Sequence, residues 1–116
     1  MSGVLRAAYT RARVNPALIE DIAVGNVLPP GGGASGARMA ALHSGIPNSA
    51  SVNTVNRQCS SGLSAVNQIA NEILAGQIDI GIGKFPLIFG HRHLCRLTIR
   101  RWRRVYDIRV GRCIPS

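Results

Sequence analysis

The sequence has few acidic residues, few aromatic residues and few cysteines. Five Asp and Glu stand against fourteen Lys and Arg, which gives a net charge of +9, and aromatic side chains make up 4% of the 116 residues. The three cysteines are an odd number without CxxC spacing, which argues against a disulfide framework and fits a reducing compartment. No apolar run is long enough to cross a bilayer, and no basic stretch followed by an apolar one opens the chain. The sequence therefore predicts a chain that neither spans a membrane nor is secreted.

The positive charge is concentrated in the last third of the chain. Residues 1–83 carry five arginines and four acidic residues, whereas residues 84–116 carry nine Lys and Arg and a single acid, Asp107. Four of the five aromatic residues also lie in this last third, at Phe85, Phe89, Trp102 and Tyr106. Two compositions are joined here, so we divide the chain into an α/β domain, residues 1–83, and an unrelated basic tail, residues 84–116, which we expect to be disordered.

Helical and strand periodicities alternate along residues 1–83. Apolar residues at three- and four-residue spacing predict a helix over residues 4–12, and short β-branched or alternating runs predict strands over residues 22–28, 51–57 and 78–83. Two prolines and four glycines make residues 29–36 a loop, followed by a short helix over residues 37–44. The loop lacks the GxGxxG and Gly-Lys-Ser/Thr patterns that bind phosphate. Strands and helices in alternation predict βαβ units and a mostly parallel sheet.

A single cysteine, Cys59, stands between a predicted strand and a predicted helix. The helix should carry its apolar stripe at Leu63, Val66, Ile69, Ala70, Ile73 and Leu74. Ser60 and Ser61 are expected to cap its first turn, and Gly76 is expected to end it. A helix N-terminus stabilises the thiolate, which is the nucleophilic form of cysteine. Cys59 is therefore a candidate nucleophile, and the alternative is an inert cysteine buried as a small apolar residue.

The residues around Cys59 carry a family resemblance. Residues 55–66 read Val-Asn-Arg-Gln-Cys-Ser-Ser-Gly-Leu-Ser-Ala-Val. This segment resembles the nucleophile signature of the thiolases, and its Asn-Arg-Gln-Cys-Ser-Ser-Gly form is most similar to 3-ketoacyl-CoA thiolases of the peroxisomal type. Residues 16–28, 31–38, 44–47 and 76–81 extend the resemblance, which ends at residue 83. It implies the N-terminal βαβ units of a layered αβαβα architecture, incomplete because the family's first core strand is absent.

The thiolase resemblance also implies a reaction. In that family the cysteine matching Cys59 attacks the 3-keto carbon of a 3-ketoacyl-CoA, acetyl-CoA leaves, and the shortened acyl group stays on sulfur until a second coenzyme A thiol removes it. Coenzyme A is thus implied as a co-substrate, and we expect no permanently bound cofactor. A complete family member is expected to be a homodimer in the peroxisome, with the mitochondrion or the cytoplasm as alternatives.

Most of the family's catalytic groups have no counterpart in this chain. Two histidines and a second cysteine of the family lack matching motifs here, so we expect a fragment that turns over little or nothing alone. His43, near the end of the 37–44 helix, receives no catalytic role. Arg38 occupies the position of a family arginine near the subunit interface, and the alternative is a solvated charge at the start of a helix.

Three other functions stay open. A ketoacyl synthase shares the fold and the cysteine nucleophile, but its motif usually lacks the Asn-Arg-Gln that precedes Cys59. A papain-like protease also has a cysteine at a helix start, but it needs an aromatic residue soon after that cysteine. The alternative that is not an enzyme is a truncated, inactive fragment that docks onto intact subunits.

The basic tail contains two patterns that invite a binding function. His91, His93 and Cys95 alternate as ligands on one face of a strand would, but a fourth ligand is lacking, and we predict no metal site. The run of arginines around Trp102 favours non-specific contact with anionic surfaces over specific nucleic-acid recognition. We hypothesise that the tail derives from a shifted reading frame or an intron, because the similarity and the balanced charge end together.

Overall fold

The computed structural model describes residues 1–28, 30–84, 96–102 and 105–111. Three α-helices and five strands form its regular structure. The helices are α1 (Ser2–Ala12), α2 (Ala34–His43) and α3 (Ser61–Leu74), and the strands are β1 (Asp21–Gly25), β2 (Ser51–Val55), β3 (Ile80–Lys84), β4 (Arg96–Trp102) and β5 (Val105–Gly111). Short 3₁₀ turns, Pro16–Leu18 and Pro30–Gly33, precede β1 and α2. Within the described part of the chain, no helix has both the length and the apolar character needed to cross a bilayer.

The five strands form one sheet in the order β2-β1-β3-β4-β5. Strand β1 pairs in parallel with β2 and with β3, and α2 and α3 are the crossover helices of the two βαβ units. Strands β4 and β5 continue the sheet in antiparallel fashion from the free edge of β3. The predicted α/β class and parallel pairing are therefore confirmed for the first three strands.

Two hydrophobic clusters lie on opposite faces of the sheet. The larger one packs α1 and α2 against side chains such as Ile22, Val24 and Ile82. The smaller one packs Ala65, Ile69 and Ile73 of α3 against Ala23 on the other face. The described chain thus has three layers, with α1 and α2 on one side of the sheet and α3 on the other.

The apolar stripe predicted for α3 is partly wrong. Ile69 and Ile73 are buried as predicted, but Leu63 is 71% exposed and Leu74 58% exposed. Ala65 faces the sheet in place of the leucines, because glycines on β1 and β3 let the small-residue face of the helix approach closely. The C-terminal signal is confirmed: Gly76 has a φ of 75°, and the Gln77 N–H donates to the Glu72 carbonyl across the end of the helix.

Several element boundaries differ from the prediction. Helix α2 begins at Ala34, three residues earlier than expected, because Gly32 and Gly33 adopt left-handed φ values of 71° and 68° and turn the chain into the helix. Strand β1 ends at Gly25 and β2 at Val55, two to three residues earlier than expected. The residues after each strand instead form the loops that surround Cys59.

The structure places strands in the tail, for which we expected disorder. Strands β4 and β5 pair with each other over seven residue pairs. Alternating apolar and polar residues in residues 97–99 and 106–110 favour strand formation, and the unpaired edge of β3 offers a partner. The alternating residues His91, His93 and Cys95 lie outside the described residues. The origin of residues 84–116 stays a prediction.

Candidate active site

Cys59 lies in a five-residue turn, residues 56–60, that joins β2 to α3. Its side chain is exposed, so the alternative of an inert buried cysteine does not hold in this structure. The turn lies at the carboxyl ends of the parallel strands β1 and β2, the edge at which open α/β sheets usually bind their ligands. The sulfur is therefore accessible, and it sits two residues before the first residue of α3.

The turn is closed by hydrogen bonds that involve Ser61. The Ser61 hydroxyl oxygen accepts from the Arg57 N–H at 2.8 Å, and the same hydroxyl donates to the Gln58 carbonyl at 2.6 Å. The Asn56 side-chain oxygen accepts from the Gln58 N–H at 3.0 Å. Gln58 has a φ of 50°, one of two left-handed non-glycine residues in the described chain. Such a conformation is costly and persists only where surrounding contacts hold it.

The predicted capping of α3 by two serines is not what the structure shows. Ser60 occupies the N-cap position but makes no side-chain capping hydrogen bond. Ser61 is fully buried, and its hydroxyl points back into the turn instead of onto the helix. Neither serine side chain therefore accepts a hydrogen bond from the backbone N–H groups in the first turn of α3. The electropositive end of the helix stays open near Cys59.

Gly25 at the end of β1 brings the sheet against the start of α3. A Cβ atom at this position would lie 2.5 Å from the Ser61 carbonyl carbon and 2.6 Å from the Gly62 nitrogen. Only glycine permits this approach, and it fixes the height of the Cys59 turn above the sheet. Sequence reasoning missed this residue, although a glycine inside a strand pattern is a known signal of close backbone contact.

Asn26 connects the loop after β1 to the strand that leads to Cys59. Its N–H donates to the Val55 carbonyl at 2.8 Å, and its side-chain amide donates to the Gly32 carbonyl at 2.8 Å. Asn26 is 6% exposed, so both bonds are sheltered from water. A longer contact, 3.5 Å, joins the Asn56 amide to the Val27 carbonyl. These bonds tie the glycine-rich loop to the Cys59 turn, a link that the sequence pattern did not reveal.

Arg38 has a structural role in this chain. Its guanidinium donates to the Asn48 carbonyl at 2.5 Å and also to the Ala50 carbonyl, and the side chain is half-buried. A bidentate guanidinium of this kind fixes the segment that leads into β2. The alternative of a freely solvated charge at a helix start is therefore wrong for this structure. His43 is exposed at the end of α2, where its carbonyl accepts a hydrogen bond from Arg6.

The acidic residues of the α/β domain lie at the other end of the sheet. Glu20 and Asp21 stand where β1 begins, Asp79 just before β3, and Glu72 in the last turn of α3. The Glu20 carboxylate accepts from the Asp79 and Ile80 N–H groups and so fixes the start of β3. Among the residues the structure describes, no cluster of His, Cys, Asp and Glu could hold a metal ion. The carboxyl edge around Cys59 thus holds no carboxylate within the described chain that would oppose a thiolate.

Glu72 should make stability depend on pH. Burial raises the pKa of Glu72 above its ordinary value of 4.5, the hydrogen bond from Gln68 opposes this, and the neighbouring Asp21 raises it further. The folded-state pKa of Glu72 exceeds the unfolded one, so folding favours the protonated carboxyl. The stability that this protonated form contributes is complete below the unfolded pKa and is lost as the pH rises through the folded pKa. Glu72→Gln should therefore gain stability relative to wild type between about pH 4 and about pH 7, by about 0.5 kcal/mol or less, since the group is partly solvated. Urea unfolding of both proteins across this range tests it, and a difference that stays flat or falls would contradict it.

The candidate site is thus an exposed cysteine that follows a left-handed residue in the turn between a parallel strand and a helix of an α/β fold. Comparison with known proteins identifies the family. The family model described as the thiolase N-terminal domain matches residues 1–84. The chain belongs to the thiolase family.

Individual relatives agree with this assignment. The chain is 49% identical over 83 residues to the peroxisomal 3-ketoacyl-CoA thiolase of Yarrowia lipolytica, covering 72% of this chain and 20% of that protein. It is 60% identical over 72 residues to the Saccharomyces cerevisiae protein of the same description, covering 62% and 17%. The chain thus spans about a fifth of the length of the curated relatives it matches.

Solved structures show the same fold. The Saccharomyces cerevisiae peroxisomal 3-ketoacyl-CoA thiolase, a five-layered structure built from two core domains of identical topology, matches with a TM-score of 0.59 and 58% identity, covering 61% of this chain and 21% of that one. An Ascaris suum thiolase in complex with coenzyme A matches with a TM-score of 0.64 and 31% identity, covering 78% and 26%. The predicted partial thiolase fold is confirmed.

Proposed function

We propose that Cys59 is the acyl-accepting nucleophile of a 3-ketoacyl-CoA thiolase. The observation that carries this proposal is the exposed thiol in its braced turn, inside a segment about half identical to peroxisomal 3-ketoacyl-CoA thiolases. The Cys59 thiolate attacks the 3-keto carbon, the bond between C2 and C3 breaks, and the departing acetyl-CoA carbanion takes up a proton. The acyl group remains on sulfur as a thioester. A coenzyme A thiolate then attacks the thioester carbonyl, which releases the shortened acyl-CoA and restores the Cys59 thiolate.

The residues that the structure describes supply only part of the machinery for this reaction. Cys59 provides the nucleophile, and its backbone N–H can donate one hydrogen bond to an oxyanion. General acid-base catalysis needs side chains close to the sulfur and to the acetyl carbon. His43 does not meet this need, because it stands exposed at the end of α2, on the other face of the sheet from α3. We therefore propose that this chain alone turns over little or nothing.

The cellular setting follows from the same similarity. The relatives are peroxisomal thiolases, one solved neighbour is described as dimeric, and another holds coenzyme A. We propose coenzyme A as the co-substrate, a homodimer for the complete protein and the peroxisome as its compartment. No permanently bound cofactor enters this reaction.

A non-catalytic docking fragment is the second candidate. The observation in its favour is the outward face of α3, where Leu63 and Leu74 are largely exposed. The first candidate is preferred because an exposed thiol in a strained, hydrogen-bonded turn serves no docking purpose.

Thiol reactivity tests the proposed nucleophile in the chain itself. Iodoacetamide labelling at neutral pH, followed by peptide mapping, reports Cys59 separately from Cys95 and Cys113. We expect iodoacetamide to label Cys59 in the folded chain, because its side chain is exposed in the turn. A Cys59 that stays unlabelled in the folded chain, although it reacts in urea, would contradict the proposed role.

Turnover tests the expected inactivity. With acetoacetyl-CoA and coenzyme A, the chain should give no thiolysis above background. Cleavage that depends on coenzyme A and disappears in Cys59→Ser would show that the chain is active by itself, and the inactivity proposal would then be wrong.

A further inference from the structure

Ser61 differs from its neighbour in a way that the capping of α3 does not explain. Ser60 is exposed and makes no side-chain capping bond, whereas Ser61 has no exposed surface. A buried hydroxyl is retained only where it has hydrogen-bond partners. Both partners of Ser61 belong to the Cys59 turn: it accepts from the Arg57 N–H and donates to the Gln58 carbonyl.

The bond to Gln58 controls the peptide group that precedes Cys59. The Gln58 carbonyl accepts from the Ser61 hydroxyl at 2.6 Å and from the Ser61 N–H at 3.1 Å, so it points towards the start of α3. The peptide bond is planar and trans, and the Cys59 N–H is therefore directed the opposite way, away from Ser61. Among the described residues, no hydrogen bond takes up the Cys59 N–H. It remains a donor for a ligand.

We propose that Ser61 is the positioning residue of the nucleophile, which aims the Cys59 N–H and thiol at the carbonyl of a bound thioester. This inference rests on the proposed function. The Ser61 hydroxyl holds Gln58 in its left-handed conformation and prevents the Gln58–Cys59 peptide from flipping. A flipped peptide would present a carbonyl oxygen where an oxyanion needs a donor.

Three serine variants of the full chain separate positioning from stability. Ser61→Ala removes the bridging hydroxyl, Ser60→Ala removes an unbonded hydroxyl in the same turn, and Ser44→Ala removes a buried hydroxyl that donates to the Ala41 carbonyl at 2.6 Å, far from Cys59. Three measurements are made on each variant: iodoacetamide labelling of Cys59, NMR couplings that report the sign of φ at Gln58, and the urea midpoint.

We expect Ser61→Ala to slow labelling of Cys59 about tenfold and to abolish the left-handed signature of Gln58, because the turn that exposes the thiol loses the hydroxyl that holds its strained conformation. Ser60→Ala should change neither. Ser44→Ala should lower the urea midpoint and leave labelling unchanged. A folded Ser61→Ala that labels at the wild-type rate would overturn the positioning role while leaving Cys59 as the nucleophile. A wild-type Cys59 that stays unlabelled in the folded chain would instead overturn the proposed function.

Hydrogen exchange keeps the proposal testable if Ser61→Ala fails to fold. The Arg57 N–H of the wild-type chain should exchange at least about tenfold more slowly than in the unfolded chain, since the Ser61 hydroxyl is its acceptor. An unprotected Arg57 N–H in the folded wild type would overturn the bridging role.

Discussion

Gly25→Ala should destabilise the chain by about 3 kcal/mol or more, at the upper end of the cost of overpacking. The added Cβ would lie 2.5 Å from the Ser61 carbonyl carbon, 2.6 Å from the Gly62 nitrogen and 2.7 Å from the Ser61 carbonyl oxygen. Non-bonded carbon atoms prefer separations of about 3.5 to 4.0 Å. All three neighbours are backbone atoms in the first turn of α3, so no side-chain rotation can relieve the contact. The helix start must move, and the Cys59 turn must move with it.

Urea unfolding tests this expectation, and Gly36→Ala is the matched control. Gly36 lies in α2, and a Cβ added there would have no atom within 4 Å, so the same substitution meets open space. Replacing a helical glycine with alanine stabilises by up to about 1 kcal/mol. The two variants should thus move the urea midpoint in opposite directions. A Gly25→Ala protein as stable as wild type would show that α3 does not rest on β1 as described.

Two further glycines extend the contact between α3 and the sheet. A Cβ at Gly83 would lie 2.7 Å from the Val66 Cα, again a backbone atom, whereas a Cβ at Gly81 would meet side-chain carbons of Ile69 and Ile78 at 2.8 and 2.9 Å. Side-chain ends can shift more easily than backbone. Alanine should therefore be tolerated better at Gly81 than at Gly83 or Gly25.

The local features of the candidate site could be predicted from sequence. A strand, an isolated Cys59 and an amphipathic helix ending at Gly76 are all encoded by patterns within one segment of chain. Periodicity and the left-handed preference of glycine depend on neighbouring residues only. The βαβ topology followed from the order of these elements, because parallel strands require crossover connections.

The contacts that fix the position of the site could not be predicted in this way. Gly25 contacts α3, and Asn26 bonds to β2, only after the sheet has formed. The orientation of the Ser61 hydroxyl towards the Cys59 turn depends on the contact between Gly25 and α3. Ser61 was expected to cap the helix because serine is strongly preferred at helix N-caps. The assignment of Leu63 to the buried stripe failed for a related reason: hydrophobicity alone did not show that the close approach of α3 places Gly62 and Ala65 against the sheet.

Two substitutions on α3 distinguish the observed packing from the stripe expected from the sequence. Ile69 has no exposed surface and belongs to the cluster between α3 and the sheet, whereas Leu63 is 71% exposed. Ile69→Ala should cost about 2 to 4 kcal/mol, because it removes buried methylene groups and leaves a cavity beside Gly81. Leu63→Ala should change the stability by less than about 0.5 kcal/mol, as is usual for surface positions.

The comparison is well controlled because both variants place alanine, the best helix former, on the same helix. Equilibrium urea unfolding of the full chain measures both free energies of unfolding. Equal losses in the two variants would support the stripe predicted from the sequence and contradict the observed orientation of α3.

The same pair of substitutions also tests the docking alternative. If the outward face of α3 contacts an intact thiolase subunit, Leu63→Ala should weaken capture by that subunit while leaving the urea midpoint in place. A stable Leu63→Ala chain that still docks with unchanged affinity would remove the observation that favours a docking fragment, since Leu63 is the most exposed of the large apolar side chains described in this chain.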